Sequence, residues 1–147
     1  MDKKELESLV RKIILEIAGE GCGGSFEKTA DPSGILSVSI PTVKPAPFDT
    51  GKKGDQVYLT DVVTLQESPR LGCGVMEMEE SAFDWTLRYD EVDYIIEGTL
   101  EILIDGRKVT GKKGDMIFIP ANSSITFSAP CFARFLYVTY PADWASQ

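Results

Sequence analysis

The run Glu91-Val92-Asp93-Tyr94-Ile95-Ile96-Glu97 alternates with a period of two, and only an extended strand has that period. The spacing puts Glu91, Asp93 and Ile95 on one face and Val92, Tyr94 and Ile96 on the other. A second strand-like run, Phe83 to Arg88, leads into it through a tight corner at Tyr89-Asp90. Two carboxylates sharing a strand face are unfavourable if buried without a partner. The chain therefore needs a cation, a shared proton or water at a barrel mouth to compensate them.

The same strand grammar runs from Ile35 onward. Strands are expected at Ile35–Ile40, Gln56–Thr64, Leu71–Glu77, Asp84–Arg88, Val92–Glu97, Leu100–Ile104, Arg107–Thr110, Met116–Ile119, Ser124–Ser128 and Phe132–Thr139. Asp105-Gly106 is a two-residue hairpin signal, since both turn positions tolerate positive φ. Pro41, Pro45 and Pro47 make the segment after the first strand irregular or edge-like. The pentapeptide Gly51-Lys52-Lys53-Gly54-Asp55 recurs as Gly111-Lys112-Lys113-Gly114-Asp115, as the trace of a duplicated half or as one turn chemistry used twice. No helical pattern is long enough to cover a parallel sheet. The predicted class is all-β, a closed antiparallel double-sheet barrel of the jelly-roll type with a short N-terminal helix.

That helix is expected over residues 1–18. Leu6, Val10, Ile13, Ile14 and Ile17 form an apolar stripe, and Asp2 with Glu5 can make a capping box. Gly19, Gly21, Gly23 and Gly24 stop it, and residues 19–34 read as a flexible connector to a barrel domain at 35–147. The helix either packs on the barrel or acts as a separate tag.

The net charge of −8 and the lack of a basic stripe argue against nucleic acid and against an anionic membrane surface. No run is apolar enough to span a bilayer, and no secretory leader is read. Cys22, Cys73 and Cys131 form neither a zinc pattern nor a disulfide framework, which points to a reducing, cytoplasmic setting. Cys73 and Cys131 are expected in the core.

The spacing from Glu91 to Gly98 and the run Gly114-Asp115-Met116-Ile117-Phe118-Ile119-Pro120-Ala121-Asn122 resemble the two motifs of the cupin superfamily. Members usually bind a metal through three histidines and a glutamate. Here Trp85, Leu87 and Ile125 stand at the histidine positions, and the chain has no histidine. The segments Trp85–Tyr94 and Pro130–Trp144 resemble, more specifically, the EutQ family of ethanolamine utilisation proteins. That resemblance implies a place in a bacterial microcompartment and an ATP-dependent acetate kinase activity, with acetate and nucleotide as ligands. The first helix then reads as a tag for shell or cargo proteins.

For such chemistry the candidate catalytic residues are Glu91, Asp93 and Tyr89. The carboxylates of Glu91 and Asp93 are the candidate ligands of a magnesium ion, since hard cations prefer oxygen. Trp85, Arg88 and Arg134 are the candidate substrate-binding residues. No phosphate-binding Gly-x4-Gly-Lys-Ser/Thr loop is present, so nothing but the resemblance indicates ATP. Trp144 and the Tyr140-Pro141 corner are expected to close the barrel or a homodimer seam. A non-catalytic cupin that scaffolds partners is the competing expectation, with Glu91 and Asp93 as a solvated rim pair.

Overall fold

The computed structural model describes residues 2–7 and 26–147. Residues 3–7 are helical, and the expected capping box forms. The Glu5 amide donates to Asp2 Oδ1 at 2.8 Å, and the Asp2 amide donates to Glu5 Oε2 at 3.0 Å. The rest of the expected helix, Cys22 and the glycine-rich stretch lie outside the described residues.

The chain divides into two compact units, Met1–Lys44 and Pro45–Gln147, a boundary ten residues later than the one expected at 34/35. The reason is a hairpin. Within the expected connector, β1 (Lys28–Ala30) pairs antiparallel with β2 (Leu36–Val38). Asp31-Pro32-Ser33-Gly34 is its turn. The Asp31 carboxylate accepts from the Ser33 amide at 2.8 Å, and the Gly34 amide donates to the Asp31 carbonyl at 2.9 Å. Residues with loop composition here make a turn that organises its flanks.

The second unit holds β3 (Ala46–Pro47), β4 (Gln56–Asp61), β5 (Gly72–Leu87), β6 (Asp90–Ile104), β7 (Arg107–Lys112), β8 (Met116–Ile119) and β9 (Ser123–Tyr140). Its antiparallel ladder runs β3-β4-β5-β9-β6-β7, with β8 paired to β6. Six of the expected strands fuse into three long ones, β5, β6 and β9. The residues that read as breaks are bulges. Glu80 sits at φ 43° where the β5 register shifts between Glu79 and Ser81, and Gly98 at φ 77° where β6 shifts against β9. A bulge bends a strand without ending it, so each long strand serves both layers of the barrel. Asp105-Gly106 turns β6 into β7 as expected, with both φ positive. The repeated pentapeptide is shared turn chemistry: Gly54 and Gly114 take φ of 92° and 90°.

The core lies between the layers. Met78, Leu87, Ile95, Leu100, Ala133 and Phe135 are 0% exposed. Burying a large apolar side chain of this kind contributes roughly 1.5–3 kcal/mol. Cys131 is exposed and Cys73 only partly buried, against the expectation of two core thiols. Cys131 falls opposite the Glu80 bulge, where β9 bends and strict alternation fails. Among the described residues, no helix is long and apolar enough to cross a membrane.

Candidate functional site

Strand β6 turns its acidic face inward. Glu91 is 6% exposed and Asp93 0%, while Tyr94 between them and Ile96 is on the outside at 47%. The reading of Glu91 and Asp93 as a solvated rim pair is therefore set aside by their burial. Alternation alone could not say which face was inside; pairing does. Glu91 lies opposite Thr139 of β9 and Ile119 of β8, and Asp93 lies opposite Tyr137 and Ile117. Both acids thus sit in the middle of a three-strand ribbon whose inner face is buried.

Few donors reach them. Glu91 Oε2 and both carboxylate oxygens of Asp93 are buried with no donor supplied to them, and the Thr139 hydroxyl is buried with no partner at all. The two carboxyls are within hydrogen-bonding reach of each other, a bond that exists only when one of them carries a proton. Burial pushes the Glu91 carboxyl up to about 8, and its contact with Asp93 offsets part of that. Asp93 is pushed well above the usual carboxylate range, first by burial and then by the Glu91 charge. Without a cation, the pair holds a proton at neutral pH.

Beside this pair is a cavity of about 20 Å³, partly open to solvent. That is room for little more than a water molecule, well below an ordinary small-molecule site. Glu91 lines it, together with Tyr89, Tyr137 and an aromatic wall of Trp85, Trp144 and Phe48. Ring centroids along the wall stand 6.0 to 6.4 Å apart, tilted or edge-on, the arrangement aromatic quadrupoles favour. Trp85 Nε1 donates to the Tyr89 hydroxyl at 2.8 Å, which holds Tyr89 at the corner between β5 and β6. Burial and then the Glu91 charge raise the Tyr89 phenol above its ordinary value, so it stays protonated and serves as a donor.

A second polar cluster joins the wall from the other side. The Tyr137 hydroxyl donates to Asp61 Oδ1 at 2.5 Å, and Trp144 Nε1 donates to the same oxygen at 3.3 Å. Two glycines of β5 make room for this. A Cβ at Gly74 would overlap the Tyr137 hydroxyl, and one at Gly72 would overlap the Thr139 hydroxyl. Asp61, Tyr137 and Phe48 carry no local motif. Asp61 meets Tyr137 only through the register that places Gly74 between them.

Of the expected site residues, Glu91, Asp93, Tyr89 and Trp85 converge. Arg88 and Arg134 do not. Arg88 is exposed at the corner and does not line the cavity. Arg134 has the opposite strand parity to inward-facing Ala133 and Phe135, and its Nη1 is paired with Glu77 Oε1 at 2.6 Å. Among the described residues no lysine or arginine lines the cavity. The vacated histidine positions are filled as packing: Leu87 is 0% and Ile125 5% exposed. Among the described residues no cluster of three or more acids and cysteines is placed to hold a metal. The two carboxylates are nonetheless a hard-oxygen pair of the kind that holds magnesium with water and substrate completing the shell. Their orphaned, buried oxygens fit such an ion.

Comparison with known proteins bears on the same region. The model of a family described as ethanolamine utilisation protein EutQ matches residues 1–146. A curated relative named "Acetate kinase EutQ" from Clostridioides difficile is 58% identical over 151 residues, covering 100% of this chain and 96% of the relative. A solved structure of the Clostridium difficile EutQ protein superposes with a TM-score of 0.81 at 61% identity, covering 83% of this chain and 91% of that one. A cupin superfamily protein from Desulfitobacterium hafniense superposes at 0.52 and 17% identity, over 58% of this chain and 77% of its own, a likeness of fold alone.

Proposed function

The chain belongs to the EutQ family of ethanolamine utilisation proteins, and from that premise we propose that it is an acetate kinase-type phosphotransferase whose reaction centre is the Glu91–Asp93 pair. A carboxylate oxygen of acetate attacks the γ-phosphorus of ATP. The bond from that phosphorus to the β-phosphate oxygen breaks, giving acetyl phosphate and ADP; the reverse reaction uses the same geometry. The single observation that carries this reading is the pair of inward-facing carboxylates with unpartnered oxygens beside an aromatic cavity. A magnesium ion bound there would supply positive charge to the transferring phosphoryl group.

The chain's own residues then have separable roles. Glu91 and Asp93 would hold the cation through their unpartnered carboxylate oxygens. Tyr89, with its phenol proton retained and its oxygen fixed by Trp85, donates to a carboxylate or phosphoryl oxygen. Trp85, Trp144 and Phe48 exclude water from the small acetate end. The nucleotide approaches from the mouth, because the cavity is too small to enclose it. The localisation that fits the family is the bacterial microcompartment, with the N-terminal segment as the tag and a homodimer as the assembled form. One observation favours the competing, non-catalytic scaffold reading: no basic side chain among the described residues lines the cavity to meet phosphate.

The test is direct. Purified protein is incubated with ATP, magnesium and acetate, and acetyl phosphate is trapped with hydroxylamine. Product above buffer is expected, falling roughly a hundredfold or more in Glu91→Gln and Asp93→Asn, by analogy with removal of one charge-stabilising group. No product from the unmodified protein ends the kinase reading. Undiminished activity in both variants moves the reaction centre elsewhere.

A further inference from the structure

The cavity beside Glu91 is filled by a side chain that no strand carries. Trp144 opens the short 3-10 turn Trp144–Ser146 that follows β9. Its ring centroid stands 6.2 to 6.5 Å from those of Phe48, Trp85, Tyr89 and Tyr137. Each ring it meets is tied to the ladder. Trp85 and Tyr137 lie within β5 and β9, Tyr89 is hydrogen-bonded to Trp85, and the Phe48 amide donates to the Val57 carbonyl of β4. Trp144 is not tied in this way. Among the described residues its side chain has one hydrogen bond, from Nε1 to Asp61 Oδ1 at 3.3 Å, longer than the usual range. The hydrogen bonds of the turn stay within it. The Ser146 amide and the Gln147 side chain donate to the Asp143 carbonyl at 3.2 and 2.9 Å, and the Gln147 amide donates to the Trp144 carbonyl at 3.4 Å. The anchor before the turn is Ala142, buried against Gly72 of β5, and the next residue, Asp143, is exposed. A half-buried ring on a turn with no ladder bonds opens far more readily than the strands around it.

With Trp144 in place the cavity admits little more than water, so no organic substrate reaches Glu91 in this state. An indole occupies more room than acetate, so withdrawing it uncovers Glu91 and leaves space for a small carboxylate. Asp61 is placed to govern that step. The Tyr137 hydroxyl of β9 fixes its Oδ1, and the same oxygen receives the Trp144 N–H. We propose that the turn after Ala142 is a lid hinged at Asp143, with the Trp144 indole as its plug and Asp61 as its latch, and that the structure shows it shut. What enters when it opens, acetate or acetyl phosphate, rests on the phosphotransfer reading; the lid itself does not. Lids of this kind move on the microsecond-to-millisecond scale.

The experiment uses the full chain labelled with 5-fluorotryptophan, without nucleotide, acetate or divalent ions. Trp85 and Trp144 are the chain's two tryptophans, so the fluorine spectrum has two resonances, assigned with Trp144→Phe. The Trp144 resonance should exchange with a minor state that saturation transfer places at the position of free 5-fluorotryptophan. Asp61→Ala should raise the population of that state at least threefold. The unmodified protein decides the matter even if that variant does not fold. In a second arm Trp85 is the sole tryptophan: acrylamide should quench it at least threefold more strongly in Trp144→Ala, which lacks the plug, than in Trp144→Phe, which keeps a ring. A Trp144 resonance without exchange, a minor state away from the exposed position, or equal quenching in the two variants overturns the lid. Exchange in a protein that makes no acetyl phosphate leaves the lid standing while ending the phosphotransfer reading.

Discussion

Rising pH should destabilise the metal-free protein through Glu91, and the size of the effect follows from its burial. In the unfolded chain the carboxyl titrates at its ordinary 4.5, whereas in the fold it holds its proton to about 8. Between those values the folded state carries the extra proton, so stability falls as pH rises, at about 1.4 kcal/mol per pH unit for one proton. The contribution is complete below the unfolded value and is lost once pH passes the folded one. Over the window of about 3.5 units the total is on the order of 5 kcal/mol, a large part of the 5–15 kcal/mol that holds a typical domain together. At roughly 3 °C per kcal/mol for a chain of this size, melting should drop by about 15 °C between pH 4.5 and pH 8. Asp93, raised in the same direction, steepens the upper part of the curve. The assay is a melting series in a chelating buffer, for the unmodified protein and Glu91→Gln. General repulsion from the net charge of −8 is common to both, so the difference between the two slopes isolates the buried carboxyl. Parallel slopes in the two proteins would refute the reasoning.

Gly74→Ala should remove the space the Tyr137 hydroxyl occupies. A loss of about 1–3 kcal/mol is expected from denaturant unfolding, with altered tryptophan emission from the displaced Trp144 wall. The outer face of β6, β8 and β9 exposes Tyr94, Met116, Phe118 and Tyr140 by 47 to 59% each, a patch that suits a homodimer seam. Light scattering should find a dimer, reduced to monomer by Phe118→Glu combined with Met116→Glu; an unmodified monomer would contradict that. Deleting residues 1–20 should leave the Pro45–Gln147 unit with its native melting transition while abolishing co-sedimentation with microcompartments. Retained co-sedimentation would mean that the tag lies elsewhere.

How far the chain can be read without coordinates differs from residue to residue. The inward pairing of Glu91 and Asp93 was half legible: a period of two put them on one face, and only the β6–β9 register decided which face was buried. The long strands were read as fragments because Glu80 and Gly98 look like stops in one dimension, while in three they are bends. Arg134 lies away from the cavity for the same reason that Glu91 lies against it. One step in parity from Phe135 carries it to the outer face and Glu77. Asp61 was invisible, since its role depends on a glycine in one neighbouring strand and a tyrosine in the next. The Asp31–Gly34 turn was hidden, because residues 19–34 as a whole have the composition of a flexible connector.

Everything functional here depends on the buried carboxylates taking up a positive partner. The most direct measurement is anomalous diffraction from crystals soaked with manganese at pH 8, where the pair has the least hold on its proton. A single strong peak is expected about 2 Å from an oxygen of Glu91 and of Asp93. A map with no peak there, from crystals whose cavity is open to solvent, would contradict the metal-assisted site.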